Sequence, residues 1–243
     1  MSLVFPHFLQ YPELIYGFSE RQHGSMKWSN DTKIYQPCLE NRQRFFSRSN
    51  ILLNQIITTD LVHGFQVAQV SLDDRGKVMT KIDALASNTK DTFLTVTGAD
   101  CFPVYFYEPE AMIIGLAHVG WKGLVNGIIS HTIEKINSIS GTSSDSILVG
   151  IGPGIRQCHF SVSLNDLYYY DKCPKAIMKN EDEAFIDIPA IITGQCLMAN
   201  IKKENIDDSN LCTYCLADKY FSYRRDKPSF LEAMIAYIGR AMK

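Results

Sequence analysis

Cys101 and His118 are the two residues whose type and position point most directly to chemistry. Each follows an apolar run that is typical of a buried strand, residues 92–97 before Cys101 and residues 111–117 before His118. Polar side chains at the ends of such strands tend to line a crevice, where open α/β sheets carry their functional residues. The intervening residues suffice for a return strand, so we expect Cys101 and His118 to lie side by side.

A thiolate with two imidazoles is a metal-ligand set, and His63, in the turn 60–64, is the best-placed third ligand. This set suits zinc and also copper, because both accept soft sulfur and imidazole nitrogen. Three protein ligands would leave zinc a position for water, whose pKa it lowers to about 7. Asp100 could orient an imidazole or act as a base. Two alternatives stay open: a Cys–His nucleophile pair without metal, and a buried thiol beside ordinary hydrogen-bonded histidines.

Two glycine-containing turns and an arginine pair are candidates for anion binding. The turn 120–123 leads into a predicted helix and contains Lys122, and the turn 152–154 has two glycines, so backbone N–H groups in either could cradle a phosphate. Ordinary turn chemistry is the alternative for both. Arg224 and Arg225 stand among aromatic residues and could hold a phosphate or carboxylate; a solvated pair on an edge strand is the alternative.

Cys212 and Cys215 form a single CxxC pair. Such a pair could be a redox couple or half of a zinc site. Because the sequence contains no second CxxC, we interpret them as two neighbouring but independent thiols.

Composition excludes several classes of protein. The 243 residues, 46% hydrophobic and 21% charged, are ordinary for a globular chain with a substantial core. A net charge of −2 argues against nucleic-acid binding, and no apolar run approaches the roughly 20 residues that a membrane span needs. The seven cysteines form no disulfide pattern, and the N-terminal residues lack the basic start of a signal peptide. We therefore expect a cytoplasmic protein with reduced thiols. We also expect a monomer.

Hydrophobic spacing predicts the elements that position these residues. We expect strands at residues 14–16, 51–58, 65–72, 92–97, 111–117 and 147–151, and helices at residues 41–49, 124–139 and 191–203. Residues 73–76 are typical of a hairpin turn, and a capping box at 163–166 predicts a further helix. Residues 234–238 fit either a helix or a closing strand. Without a linker or an internal repeat, residues 1–243 are expected to form one domain.

Several motifs, in this order along the chain, resemble the YfiH-like family, which has carried the labels laccase-domain, multicopper polyphenol oxidase and purine nucleoside phosphorylase. They are GFSERQHGS, ENRQRF, LVHG, KIDALAS, TGADCFPVYFYEP, GLAHVGWKG, ILVGIGPGIRQCHFSV and CTYCLADKYFSYRRD. The resemblance covers nearly the whole chain. It implies a single α+β domain in which layered mixed β-sheets are flanked by helices.

The resemblance also implies a metal site and an activity. His63, Cys101 and His118 would be the metal ligands, with zinc favoured over copper. The substrates would be purine nucleosides and phosphate: phosphorolysis of adenosine, inosine and methylthioadenosine, together with deamination of adenosine. The catalytic candidates are Asp83, Asp100, Cys101 and Arg225, and the substrate-binding candidates are Arg21, Lys122 and Arg224. Among these, Asp83 and Asp100 are candidates for proton transfer.

The chain also departs from the family pattern. Many members have arginine where this chain has Lys122, which lacks the bidentate fork of arginine, and many have cysteine where Gly154 stands. The usual glycine–arginine pair after the Arg-Arg motif is replaced by residues 227–231, KPSFL. If that arginine binds phosphate in relatives, a hydrolase or deaminase activity would remain here without phosphorolysis.

Three other functions compete with this one. A multicopper oxidase of phenols requires many imidazoles, and six histidines without a His-x-His pair argue against it. An amidase that edits peptidoglycan precursors would use the same Cys–His site. A non-catalytic metal-binding protein is disfavoured because His63, Cys101 and His118 are all present.

Overall fold

Two mixed β-sheets and a layer of helices build the fold, which the computed structural model describes for residues 3–241. The strands are β1 Leu14–Phe18, β2 Ile56–Asp60, β3 Val67–Gln69, β4 Val78–Thr80, β5 Ala84–Ser87, β6 Phe93–Gly98, β7 Phe102–Glu108, β8 Ile113–Val119, β9 Leu148–Ile151, β10 Ser161–Ser163, β11 Ile177–Lys179, β12 Glu183–Ile186, β13 Ile206–Asp208 and β14 Met234–Arg240. The helices are α1 Thr32–Ser47, α2 Trp121–Val125, α3 Ile128–Ser140, α4 Ile188–Met198 and α5 Tyr223–Asp226. No helix within residues 3–241 is long and apolar enough to cross a bilayer.

The two large sheets pack face to face. One has six strands in the order β13-β9-β7-β8-β5-β3, and the other has five in the order β1-β14-β6-β2-β4. Each contains both parallel and antiparallel neighbours. Helices α3 and α4 and a three-stranded antiparallel sheet, β10-β12-β11, contribute to the core on the other face of the six-stranded sheet. The predicted α+β class with layered mixed sheets and flanking helices is confirmed.

Burial on both faces explains the continuous apolar sequence of β7. Side chains alternate across a strand, so Tyr105 and Tyr107 pack between the two large sheets. Val104 and Phe106 point to the opposite side and join the core that contains the helices. Every residue of β7 is buried, which leaves polar side chains to the strand ends.

The chain crosses from one large sheet to the other just before Cys101. Strand β6 lies in the five-stranded sheet, whereas β7 and β8 form a hairpin in the six-stranded sheet, with Pro103 opposite His118. The expected return strand is therefore β7. The two predicted apolar runs do not share one open sheet, and the crevice lies where the edges of two packed sheets meet.

Two helices differ from their predicted bounds. The helix predicted at 124–139 is divided into α2 and α3, because Gly127 adopts a left-handed conformation with φ 84° between them. Helix α1 begins well before residue 41, with the Asp31 side chain capping the N–H of Lys33. Its interior contains Pro37, which has no backbone N–H to donate.

Three further segments were misjudged or left undecided. Residues 73–76 do not close a hairpin, because β3 pairs with β5 while β4 pairs with β2 in the other sheet. The capping box predicted at 163–166 opens a 3₁₀ helix, Leu164–Tyr170, with no side-chain cap on the backbone. The C-terminal stretch is a strand, since β14 lies between β1 and β6 and is buried throughout.

Candidate active site

His63, Cys101 and His118 meet at the joint edge of the two large sheets. Their ligand atoms all lie within 4.8 Å of one another, and the two imidazole rings are 4.8 Å apart and nearly perpendicular, at 84°. Cys101 lies in the crossing between β6 and β7, His118 near the end of β8, and His63 in the loop after β2. The structure thus brings together the three predicted metal ligands.

Asp83 fixes the position of both histidines. Its carboxylate accepts a hydrogen bond from Nδ1 of His118 at 3.0 Å and from the backbone N–H groups of Val62, His63 and Gly64 at 3.2, 2.9 and 2.8 Å. These contacts support the left-handed backbone of His63, φ 58°. The carboxylate beside His118 is therefore Asp83, and Asp100 does not orient this ring.

Gly120 leaves open the space in front of the cluster. A Cβ atom at this position would lie 3.0 Å from Cδ2 of His63, 3.1 Å from Sγ of Cys101 and 3.8 Å from Cε1 of His118. All three predicted ligands therefore border one small volume that a side chain would fill. A thiolate and two imidazoles around such a volume fit zinc or copper by donor type.

The electrostatics of the cluster favour a thiolate. Burial raises the pKa of Cys101, but the charge and hydrogen bonds of His118 and His63 outweigh it and lower the pKa to about 6. Burial lowers the pKa of His118, but the charge of Cys101 and the hydrogen bond to Asp83 raise it to about 9. A deprotonated sulfur suits both metal binding and nucleophilic attack.

The cluster opens into a cavity of about 1050 Å³. This volume is at the upper end of ligand pockets, which span roughly 300–1,000 Å³. Aromatic and charged side chains share its walls: Lys27, Trp28, Asp60, Asp100, Trp121, Lys122, Asp166, Tyr169, Tyr223 and Arg224.

Asp100 lies in the cavity wall but is committed to hydrogen bonds. Its carboxylate accepts from Oγ1 of Thr213 at 2.7 Å, from Oγ of Ser222 at 3.0 Å and from the N–H of Arg224 at 2.8 Å. Asp100 itself has a positive φ of 86°. Asp100 therefore links the β6–β7 crossing, which contains Cys101, to the segment of Thr213 and to the start of α5.

Lys122 and Arg224, both predicted to bind substrate, line the cavity. Nζ of Lys122 lies 5.6 Å from the ring centroid of Trp121. Arg224 donates from Nη1 to the carbonyl and hydroxyl oxygens of Ser161 and lies over the ring of Phe160. These two cations face the same space as the Cys/His cluster.

Arg225 and Arg21 do not line the cavity. All five N–H groups of the Arg225 guanidinium are used, by the carbonyls of Thr213, Tyr214 and Tyr220 and by both carboxylate oxygens of Asp226. Arg21 donates to the same carboxylate at 2.6 Å. The structure separates these two predicted residues from the rest of the site.

The turn 152–154 has no free N–H group to cradle an anion. Gly152 donates to the carbonyl of Pro103, and Gly154 donates to that of Leu211. Both glycines are needed for close packing, because a Cβ on Gly154 would lie 2.5 Å from the ring of Phe102. The anion-cradle interpretation of this turn was wrong.

Several cavity residues were not identified from the sequence, among them Lys27, Trp28 and Tyr169. Trp28 and Lys27 lie in a stretch without regular structure before α1, and Tyr169 lies in the 3₁₀ helix Leu164–Tyr170. The run of three tyrosines at 168–170 was the one available signal. Tyr169 packs against Trp121 with ring centroids 5.0 Å apart.

Comparison with known proteins agrees with the fold. YfiH of Escherichia coli, named a purine nucleoside phosphorylase, is 31% identical over 192 residues, which cover 77% of this chain and 75% of the relative. YlmD of Geobacillus stearothermophilus carries the same enzyme name and is 28% identical over 215 residues, 83% of this chain and 78% of the relative. The crystal structure of a YfiH protein from Bacillus licheniformis superposes with a TM-score of 0.89 at 25% identity, covering 98% of this chain and 96% of that one.

The family described as multi-copper polyphenol oxidoreductase laccase matches residues 16–241. This range contains the three residues of the Cys/His cluster and every residue of the cavity wall. The chain therefore belongs to this laccase-like family, the family of YfiH and YlmD.

Proposed function

We propose that this chain is a zinc-dependent purine nucleoside phosphorylase that also deaminates adenosine. The observation that carries the proposal is one cavity in which the Cys/His cluster, aromatic side chains and unpaired cations share the walls. The enzyme names of the relatives support the reaction class. The proposed substrates are adenosine, inosine and methylthioadenosine, with phosphate.

The aromatic side chains would hold the purine. Trp28, Trp121, Tyr169 and Tyr223 line the cavity and offer flat apolar faces. Stacking of a base on an aromatic ring contributes about 1–3 kcal/mol and tolerates different bases. A wall of this kind accepts adenine and hypoxanthine alike, which fits a broad purine specificity.

The cations would hold phosphate. Lys27, Lys122 and Arg224 line the cavity, and none of them forms a salt bridge with another described residue. The carboxylates of Asp100 and Asp166 in the same wall already accept hydrogen bonds from Thr213 and Ser163. Without a carboxylate partner among the described residues, these cations can supply charge and donors to a substrate anion, in the case of Arg224 through donors other than Nη1.

In the proposed reaction a phosphate oxygen attacks C1′ of the ribose, and the C1′–N9 bond breaks with its electron pair passing to the base. The base takes up a proton as it leaves. The contribution of the cations would be to orient phosphate and to neutralise its charge near C1′. The proton donor is not assigned to Asp83 or Asp100, because the hydrogen bonds of each carboxylate favour a positioning role.

His63, Cys101 and His118 would hold the metal. A bound zinc ion would supply Lewis-acid chemistry at one open coordination position. Asp83 would hold His118 through Nδ1, which leaves Nε2 of that ring for the metal. Asp226, Arg225 and Arg21 would support the cavity from outside rather than contact the substrate.

Product analysis tests this function. The purified protein is loaded with one metal at a time, zinc or copper, and incubated with adenosine or inosine in the presence and absence of phosphate. We expect zinc to support phosphate-dependent release of adenine and hypoxanthine with one ribose 1-phosphate for each base. Inosine formed from adenosine without phosphate reports the deaminase. The Cys101→Ala variant should lose both activities, whereas Cys173→Ser, outside the cavity, should keep both.

A precursor-editing amidase is the second candidate, and the proximity of the Cys101 sulfur to the imidazoles of His63 and His118 is the observation that favours it. A thiolate beside two imidazoles could attack an amide carbonyl without a metal. Failure of the zinc-loaded protein to turn over either adenosine or inosine, combined with cleavage of a muropeptide amide by the metal-free protein, would replace the phosphorylase with this function.

A further inference from the structure

We propose that this chain has a second metal site, a closed structural zinc site formed by Cys158, His159, Cys212 and Cys215. The ligand atoms of these four residues all lie within 4.8 Å of one another. None of the four lines the cavity that contains His63. The inference therefore does not depend on the proposed function.

Four of the six separations between these ligand atoms are close to the edges of a tetrahedral zinc site, and the other two are within 4.8 Å. Sγ of Cys158 lies 3.7 Å from Sγ of Cys212 and 3.6 Å from Sγ of Cys215. Nδ1 of His159 lies 3.2 Å from the sulfur of Cys158 and 3.3 Å from that of Cys215. Bond lengths of about 2.3 Å for Zn–S and 2.0 Å for Zn–N predict edges of roughly 3.8 Å and 3.5 Å.

The local fold explains how residues so far apart in sequence converge. Gly154 and Cys212 form a parallel β-bridge, with the N–H of Thr213 donating to the carbonyl of Gly154 at 3.1 Å. This bridge aligns the turn that carries Cys158 and His159 with the turn that carries the CxxC pair. The interpretation of Cys212 and Cys215 as independent thiols was wrong, because both lie in contact with Cys158.

The ring of His159 is held in a position that aims Nδ1 at the sulfurs. It stacks on the ring of Tyr214, between the two cysteines of the CxxC, with centroids 3.9 Å apart and planes 15° apart. This stacking restricts rotation of the imidazole ring.

The donor set specifies the kind of metal and the kind of site. Three thiolates and one imidazole are typical of structural zinc, and four protein ligands leave no open position for a substrate. Three thiolates this close repel one another unless a cation lies among them. The neighbouring guanidinium of Arg156 is already paired with both carboxylate oxygens of Asp208, at 2.9 and 2.7 Å. A divalent metal ion would supply the positive charge that allows all three sulfurs to be deprotonated.

The proposed zinc site would hold the CxxC turn in place beside the cavity. Thr213 lies between the two cysteines of the CxxC and donates from Oγ1 to Asp100, next to Cys101. Arg225 donates to the carbonyls of Thr213 and Tyr214. A metal that fixes this turn also fixes Asp100. Loss of the metal should therefore lower the free energy of unfolding directly and the enzyme activity only indirectly.

Metal content tests the proposal. Protein purified under reducing conditions is loaded with zinc, freed of excess metal by gel filtration, and measured for zinc per chain. We expect two zinc ions for the wild type, one for Cys101→Ala and one for Cys158→Ser or Cys215→Ser. The matched control Cys173→Ser, a half-buried cysteine outside both clusters, should retain two.

Cobalt spectroscopy on Cys101→Ala makes the test independent of whether the Cys158 or Cys215 variants fold. This variant keeps only the four proposed ligands as a thiolate-rich site. We expect Co²⁺ to give a tetrahedral spectrum with intense thiolate-to-cobalt charge transfer, which Cys101→Ala/Cys215→Ser lacks. One zinc in the wild type and no such spectrum in Cys101→Ala would overturn the proposal, as would a disulfide between Cys158 and either cysteine of the CxxC in the reduced, zinc-loaded protein.

Discussion

Asp83 and His118 form a buried pair in which the carboxylate Oδ1 lies 3.0 Å from Nδ1 of the imidazole, with side chains 0% and 4% exposed. The same carboxylate holds the backbone of the loop that carries His63. One acidic side chain thus sets the relative position of two of the three cluster residues. Although burial raises the pKa of Asp83, the hydrogen bonds from His118 and Gly64 lower it overall, so the carboxylate is ionised.

Asp83→Asn is predicted to weaken metal binding while leaving all three ligands in place. The amide keeps the size of the side chain but loses its charge and one acceptor. Replacing a group that orients a metal ligand costs about 10- to 100-fold in affinity. Competition with a chromophoric zinc chelator measures this change.

Asp60→Asn is the matched control, because Asp60 also lines the cavity but makes no hydrogen bond to a cluster residue. Its zinc affinity should equal that of the wild type. Equal affinities for Asp83→Asn and the wild type would show that His118 is positioned without its carboxylate partner.

Gly120→Ala is predicted to disturb the cluster without disturbing the backbone. The φ of −85° and ψ of 164° at Gly120 are open to alanine. The added methyl would lie about 3 Å from both His63 and Cys101, and a displacement of about 1 Å at a reacting centre costs about 100-fold in rate. Turnover of adenosine by Gly120→Ala, with circular dichroism to check the fold, measures the effect.

Gly194→Ala provides the comparison, since a Cβ there would meet nothing within 4 Å. Gly194 lies inside α4, so alanine should raise the free energy of unfolding by about 0.5–1 kcal/mol and leave turnover unchanged. Full activity in Gly120→Ala would mean that the space in front of the cluster is not used.

Asp226→Asn is predicted to lower stability at neutral pH but not in acid. Burial raises the pKa of Asp226, but hydrogen bonds from Arg225 and Ser222 and the charge of Arg21 lower it overall. A carboxyl whose folded pKa is lowered stabilises the protein above its unfolded pKa, and this contribution disappears as the pH falls through the folded pKa. We expect the free energy of unfolding to fall by about 1–2 kcal/mol at neutral pH, since Asp226 is partly exposed and solvent screens its charge.

Urea unfolding at pH 7 and at pH 3 checks this prediction. The free energy of unfolding should differ between the wild type and Asp226→Asn by the whole expected amount at pH 7, and this difference should shrink below about pH 4. Asp218→Asn, exposed in the same segment and without an ion pair among the described residues, should match the wild type at both values. A difference that stays constant with pH would assign the effect to packing.

Local sequence was sufficient to identify Cys101 and His118, because both stand at the end of a long apolar run. It was not sufficient for the partners of Asp83 or Arg225. Asp83 meets His118 through the pairing of β5 with β8, and Arg225 meets backbone carbonyls from three separate residues. Side-chain type indicates that a group can bind an anion, but only the tertiary fold decides whether its donors are already used.

The second cysteine cluster illustrates the same limit. Cys158 and Cys212 are 54 positions apart, and only the parallel bridge at Gly154 brings them together. The sequence shows the CxxC spacing of Cys212 and Cys215. It does not show that Cys158 and His159, on another loop, complete the cluster. Likewise, the division of the predicted 124–139 helix follows the left-handed backbone of Gly127, which the hydrophobic spacing did not indicate.

Lys122 is predicted to set the affinity for phosphate. Its ammonium group lies in the cavity wall without a carboxylate partner among the described residues. Loss of one charged hydrogen bond costs about 1.5–3 kcal/mol, so Lys122→Ala should raise the KM for phosphate about tenfold or more. Lys122→Arg should lower that KM, because a guanidinium can bind phosphate bidentately.

Initial rates at varied phosphate and saturating inosine measure both variants. Lys203→Ala removes an exposed lysine outside the cavity and should leave the KM unchanged. If the KM for phosphate is equal in Lys122→Ala and the wild type, phosphate binding would be assigned to Lys27 and Arg224 instead of Lys122. A rise in the KM for inosine instead would indicate that Lys122 contacts the nucleoside, so the two constants must be measured separately for each variant.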